Sequence, residues 1–180
     1  TRPALDTSGW THSLPDPELM DAHDYNQDPE SFRERWMDYF ETGALPARYG
    51  ESESRGIPFF VSEFGGIGWF ERDDQAWGYG NMPQNEKEFF ERFAGLVNAQ
   101  LDNRHLFGYC YTQLTDIEQE KNGVFYYDRS PKFKAEKFHT IQTRKAAYEI
   151  DPPLKTKEDK VTYQVLLGAA PDGMEQNIWK

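Results

Sequence analysis

The sequence predicts an α/β domain built on a parallel sheet, and three observations carry that prediction. Strand-like and helix-like stretches alternate along the chain. The two strongest strand runs, "IPFFVSEF" (Ile57 to Phe64) and "LFGYCYTQL" (Leu106 to Leu114), are almost continuously apolar or aromatic. That is the pattern of strands covered on both faces. Both are followed by long loops, and open parallel sheets place their binding sites in the loops after their strands.

The elements read in order as follows. A first strand is expected over "PALDTS" (Pro3 to Ser8), and a second over "LMDAHDY" (Leu19 to Tyr25). Between them "GWTHSLPDPE" reads as a loop, so this pair alone lacks a helix. The first helix follows in "DPESFRERWMDYFETG". Asp28 is its candidate N-cap, Pro29 its first residue, and Phe32, Trp36, Tyr39 and Phe40 one face, with Gly43 as the stop. After the strand at Ile57 to Phe64, a loop from Gly65 to Gln84 carries Trp69, Phe70, Trp77 and Tyr79. A second helix is expected in "NEKEFFERFAGLVNAQLDN", capped by Asn85. Phe89, Phe93, Leu96, Val97 and Leu101 recur at helical spacing, and its acids cluster at the positive end of the helix dipole. The strand at Leu106 to Leu114 leads into the loop Thr115 to Arg129, which carries Asp116, Glu118 and Glu120. A last helix is expected in "SPKFKAEKFHTIQTRKAAYE", with Ser130 as cap and Pro131 in the first turn. Residues 1–149 form one domain in this reading. Residues 150–180 form a linker and an appendage with one further candidate strand, "VTYQVLL".

Composition narrows the function classes. The chain has 180 residues, a formal charge of −11, and 16% aromatic residues. The acidic balance argues against a nucleic-acid partner, which requires basic patches, and against an anionic membrane surface. No apolar run approaches membrane-spanning length, and "TRPALDTSGW" lacks the hydrophobic stretch of a signal peptide. A single cysteine, Cys110, allows neither an internal disulfide nor a cysteine metal site. The four histidines have no metal-ligand spacing, so neither metal nor cofactor is expected. The aromatic excess suits a sugar-binding surface, where rings stack on pyranose faces, as well as ordinary core packing.

The chemistry points to Glu63. It ends an apolar strand, where partial shielding from water tunes a carboxylate. Gly65 and Gly66 then let the backbone turn sharply and a ligand approach. A fixed carboxylate beneath an aromatic wall is what a glycosidase nucleophile needs. A structural Glu paired with an Arg is the alternative. His23, Asp24 and Tyr25 end the preceding strand, and Tyr25 is placed to donate a hydrogen bond to Glu63. A buried core histidine is the alternative for His23. Tyr111 and Gln113 end the last strand, with Tyr109 on the same side. Tyr111 is a candidate floor for a sugar site, or else a packing residue.

Taken together, "FFVSEFGG" and "GYCYTQLTDIEQEKNGVFYYDRSPKF" resemble the C-terminal half of the catalytic barrel of glycoside hydrolase family 2, which includes β-galactosidases, β-glucuronidases and β-mannosidases. "TRPALDTSGW" and "MDAHDY" are similar to that family's fifth and sixth strands. The similarity covers roughly residues 1–148 and fails in the tail. It implies a (β/α)8 TIM barrel of which this chain carries strands five to eight and their helices, a half barrel. It implies retaining hydrolysis of O-glycosides by double displacement, with Glu63 as the nucleophile. His23, Asp24, Tyr25, Trp69, Trp77, Tyr111 and Gln113 would then bind substrate. Tyr111 stands where many relatives carry a Trp.

The family's acid/base Glu lies in an Asn-Glu pair ending strand four, and no counterpart is present; "QNEKE" at Gln84 to Glu88 reads as a helix start. The expectation is therefore a nucleophile without its acid/base, and little or no activity from this chain alone. A half barrel also leaves open strand edges, so the expected partner, besides a carbohydrate substrate, is the N-terminal portion of the same enzyme or a second copy of the chain. Two other readings compete: a non-catalytic carbohydrate-binding or interaction module derived from such a barrel, and a retaining glycosidase of another family in the same barrel clan. The compartment is open.

Overall fold

A computed structural model describes residues 3–5, 9–11, 13–14, 18–42, 58–70 and 75–151. Within them the order is β1 (Met20–Asp24), α1 (Pro29–Thr42), β2 (Phe59–Gly65), α2 (Glu86–Leu101), β3 (Leu106–Thr112), α3 (Ala135–Gln142) and α4 (Ala147–Ile150). The three strands form one parallel sheet in the order β1-β2-β3. The chain is thus α/β with a small parallel sheet, as the alternation predicts.

The sheet does not close, and among the described residues it has three strands where four are expected. Residues 3–5 of the expected first strand are not in a ladder: the Ala4 N–H donates to the Glu18 carboxylate instead. Residues 6–8 lie outside the described residues, as do Gly43 and the candidate strand at 161–167. No helix among the described residues is long and apolar enough to cross a membrane.

Both crossover helices cover the same face. Arg33 of α1 reaches Asp102 at the end of α2 (3.0 Å), and a Cβ at Gly95 would stand 2.6 Å from the Pro29 ring, so the helices lie against each other. Their apolar faces, Phe32 and Trp36 from α1 and Phe89, Phe93, Leu96 and Val97 from α2, meet Met20, Ala22, Phe59, Val61, Phe64 and Leu106 of the sheet in one core. Burying a large apolar side chain of this kind is worth roughly 1.5–3 kcal/mol. The opposite face carries Asp21, His23, Ser62 and Glu63 toward the strand ends and the Phe60–Phe107 ring pair (5.3 Å) toward their starts, and the site stands there.

The helix caps follow the sequence at two positions and depart at a third. Asp28 Oδ1 accepts from the Ser31 N–H (2.8 Å), which holds its carboxyl below the usual range. Asn85 Oδ1 accepts from the Glu88 N–H (3.0 Å), while Glu88 reaches back to the Gln84 N–H (2.8 Å). Ser130 caps nothing. Its hydroxyl and its N–H both go to Asp128 (2.6 and 2.9 Å), and its carbonyl accepts from Tyr126. The segment 123–132 is spent on this turn, and α3 starts only at Ala135, after Lys134.

Candidate active site at the end of the middle strand

Glu63 reaches the open face because β2 carries a bulge. Val61 pairs with Ala22 and Glu63 with His23, leaving Ser62 as an extra residue. Strict alternation would put Glu63 on the helix-packed face with Phe59 and Val61. The extra residue reverses the phase, so Phe64, fully buried, takes the core position and Glu63 turns away from it. Ser62 sits on the same side as Glu63 and its hydroxyl bonds the buried Asp21, which also accepts from the Gly9 N–H (3.1 Å).

Two neighbours converge on one oxygen of Glu63. The Tyr25 hydroxyl donates to Oε2 at 2.5 Å, and His23 Nδ1 lies 3.1 Å from the same atom. Oε1 accepts no hydrogen bond among the described residues. The Glu63 side chain is 40% exposed, whereas His23 is buried and packs edge-on to Trp10. Burial, and then the bond to Glu63, pushes the Tyr25 phenol far above its ordinary range, so it stays a donor at neutral pH. The Thr112 hydroxyl, at the end of β3, lies 3.3 Å from the phenolic oxygen. The ends of all three strands therefore meet around this carboxylate. Cys110 of β3 shares its surroundings: burial first, and then the charge of Glu63, raise the thiol.

An aromatic row leads away from Glu63. Tyr25 stacks on Tyr79 (3.6 Å, 10° between planes), and Trp77 meets Tyr79 edge-on (5.6 Å) with 45% of its surface exposed. The turn after β2 makes this possible. Gly65 and Gly66 both have positive φ, at 81° and 61°. A Cβ on Gly66 would stand 2.4 Å from the Tyr79 ring, and one on Gly65 2.4 Å from the Tyr111 ring. Only glycine meets both demands.

The remaining candidates are placed elsewhere. Asp24 lies on the helix-packed face, fully buried, with both oxygens 2.7 Å from Arg35 Nη1 and one accepting from the Trp36 indole (3.0 Å). Tyr111 also faces the helices. Its ring packs on Phe64 and Phe93 and its hydroxyl accepts from the Ile67 N–H (3.1 Å), so packing, rather than a floor beneath Glu63, is its observed role. Trp69 is held inward by Phe89 and Phe133. Gln113 follows a cis peptide bond from Thr112 and, with Phe93, Phe133 and Phe138, lines an apolar cleft of about 400 Å³ beside β3. Tyr79 is among the aromatics expected in the loop after β2, whereas periodicity missed Thr112 and the Asp21–Ser62 pair, since each enters through contacts distant in sequence.

A buried ion pair braces the loops around the site. Lys132 Nζ donates to Asp116 Oδ1 (2.6 Å) and to the carbonyls of Trp69 and Lys121 (2.9 and 3.2 Å), and Asp116 also accepts from the Gly123 N–H (3.0 Å). Burial draws the ammonium below its ordinary range, and Asp116 pulls it back up. No family model matches this chain, and no curated protein matches it.

Proposed function

We propose that this chain is the C-terminal part of the catalytic barrel of a retaining β-glycosidase of the family 2 type, with Glu63 as its nucleophile. The observation that carries the proposal is the anchoring of Glu63 Oε2 by Tyr25 and His23, at the C-terminal end of the middle parallel strand, with Oε1 unengaged. In this mechanism Oε1 attacks the anomeric carbon, the bond to the aglycone oxygen breaks, and a glycosyl ester forms on Glu63. Water then attacks the same carbon from the opposite side, releasing the sugar with its configuration retained. Tyr25 and His23 position the carboxylate, and Trp77 with Tyr79 supplies stacking surface for the substrate.

The leaving oxygen needs a proton from a second carboxyl group about 5–5.5 Å from the first. Among the described residues the buried acids are committed elsewhere: Asp21 to Ser62, Asp24 to Arg35, Asp116 to Lys132. The proposal assigns the acid/base to an N-terminal portion of the same enzyme or to a second copy, packed on the open face of the sheet.

The test is covalent trapping. Dinitrophenyl 2-deoxy-2-fluoro glycosides have a leaving group that departs without protonation, so trapping depends on the nucleophile and not on the acid/base. Incubated with a panel of such sugars, the protein gains one fluoroglycosyl mass on the peptide containing Glu63, and Glu63→Gln gains none. Labelling of another residue, or of none by any sugar, overturns the proposal. The aromatic row equally suits a carbohydrate-binding module, whose sugar binding would survive Glu63→Gln while no adduct forms in either protein.

A further inference from the structure

We propose that Thr112 is a positioning residue of this site: its hydroxyl donates to the phenolic oxygen of Tyr25 and so commits the Tyr25 proton to Glu63 Oε2. The inference rests on the glycosidase reading of Glu63. Thr112 is the last residue of β3, and its register partner on β2 is Gly65, two residues past Glu63. That pairing brings the end of the third strand to the phenol that links β1 to Glu63. Gln27 ties the backbone at the same place, its Nε2 donating to the Tyr25 carbonyl (3.1 Å) and also to the Gly65 carbonyl. The Tyr25 ring is stacked on Tyr79, so the phenolic oxygen has little room to move.

The number of protons fixes the direction of each bond. The phenolic oxygen has one proton and meets two oxygens, Glu63 Oε2 at 2.5 Å and Thr112 Oγ1 at 3.3 Å. An ionised carboxylate only accepts, so the Tyr25 proton goes to Glu63. The Thr112 contact is then a hydrogen bond with Thr112 as the donor, and the tyrosine oxygen has a lone pair left to receive it. Among the described residues the Thr112 hydroxyl has no other polar partner. The state of the phenol agrees. Burial, and then the bond to Glu63, raise it, while the Thr112 bond works the other way, as a donor to that oxygen does.

The result is a relay of two hydrogen bonds, from Thr112 to Tyr25 and from Tyr25 to Glu63. A donor on the phenolic oxygen polarises its O–H, and bonds in such a chain strengthen one another. Thr112 touches no substrate. It acts through Tyr25, keeping Oε2 anchored so that Oε1 is the oxygen left to attack the anomeric carbon.

The experiment follows the rate of Glu63 labelling in the whole chain, using the dinitrophenyl 2-deoxy-2-fluoro glycoside that labels wild type fastest. Thr112→Val keeps the branched shape and removes the hydroxyl, and Thr112→Ser keeps the hydroxyl. Labelling should slow about three- to tenfold in Thr112→Val, the value of one neutral hydrogen bond, and return to within about twofold of wild type in Thr112→Ser. Tyr25→Phe alone and Tyr25→Phe combined with Thr112→Val should label at the same rate, because the Thr112 bond has no oxygen to reach once the phenol is gone. A residue needed only for packing would slow labelling in both backgrounds, and that result overturns the proposal. Labelling of Thr112→Val at the wild-type rate, or failure of Thr112→Ser to recover it, overturns the proposal too and leaves the nucleophile standing. Thr112→Ala, equally without the hydroxyl, carries the same test if Thr112→Val does not melt cooperatively. Failure to label Glu63 in wild type overturns the nucleophile itself, and the role of Thr112 with it.

Discussion

Replacing Lys132 with Met should destabilise the protein more than any surface ion-pair change, because it strands a buried charge. The ammonium is fully buried and makes three hydrogen bonds, one for each of its protons, to Asp116 Oδ1 and to the carbonyls of Trp69 and Lys121. Methionine keeps the length and the apolar contacts of the chain but donates nothing. Asp116, 2% exposed, would retain only the Gly123 N–H, and the Trp69 carbonyl would lose its donor, while the Lys121 carbonyl keeps the Trp69 N–H (3.0 Å). Removing one partner of such a pair costs about 3–5 kcal/mol. In a domain of this size that corresponds to a fall in Tm of roughly 6–20 °C. Arg33 and Asp102, more than 40% exposed on both sides, provide the control, and Arg33→Met should cost no more than about 1 kcal/mol. Calorimetry or thermal circular dichroism reads both variants. Replacing Asp116 with Leu in the Lys132→Met background should recover part of the loss, since no charge is then stranded. A Lys132→Met melting point no lower than that of Arg33→Met would refute this account.

Tyr25→Phe should slow fluoro-sugar labelling of Glu63 by about 10- to 100-fold, the value of a hydrogen bond to a charged group at roughly 1.5–3 kcal/mol. The ring keeps its stack on Tyr79, so melting should change little; labelling at the wild-type rate would remove Tyr25 from the mechanism. An alkaline titration followed at 295 nm should hold back at least Tyr25, Tyr79, Tyr109 and Tyr111, all raised chiefly by burial, so that no more than six of the ten tyrosines ionise while the fold persists. Because the folded state binds these protons more tightly, their contribution to stability is complete below pH 10 and is lost as the pH climbs beyond it. Reversible ionisation of all ten in one step with the fold intact would contradict the burial described here.

The covered sheet face bears on the barrel resemblance. A sheet wound on both sides would have its middle strand packed by helices above and below. Here α1 and α2 lie on one side, and Asp21, His23, Ser62 and Glu63 lie on the other together with Phe60, which packs on Phe107. A segment of a barrel has this one-sided cover, and so does any sheet whose second face is closed by another part of the molecule. Size-exclusion or sedimentation of the chain with and without a candidate N-terminal portion distinguishes a partnered face from a solvated one.

Sequence alone determined the elements and their ends where the cause is local. The apolar runs mark β2 and β3, the helical spacing of Phe89, Phe93, Leu96 and Val97 marks the buried face of α2, and Asp28 and Asn85 cap helices because the N–H groups they satisfy lie three residues away. It also placed Glu63 at a strand end followed by two glycines. The tertiary structure alone decided which way these side chains point. The bulge at Ser62 depends on the register with β1, a pairing across about 40 residues, and it sends Glu63 out while Phe64 goes in. Packing between elements likewise turned Asp24 to Arg35 and Tyr111 to Phe93, and joined Asp116 to Lys132. Periodicity within a segment records how apolar its faces are. Register, bulges and buried polar pairs are settled by the neighbour the segment meets, and that neighbour is chosen only when the chain folds.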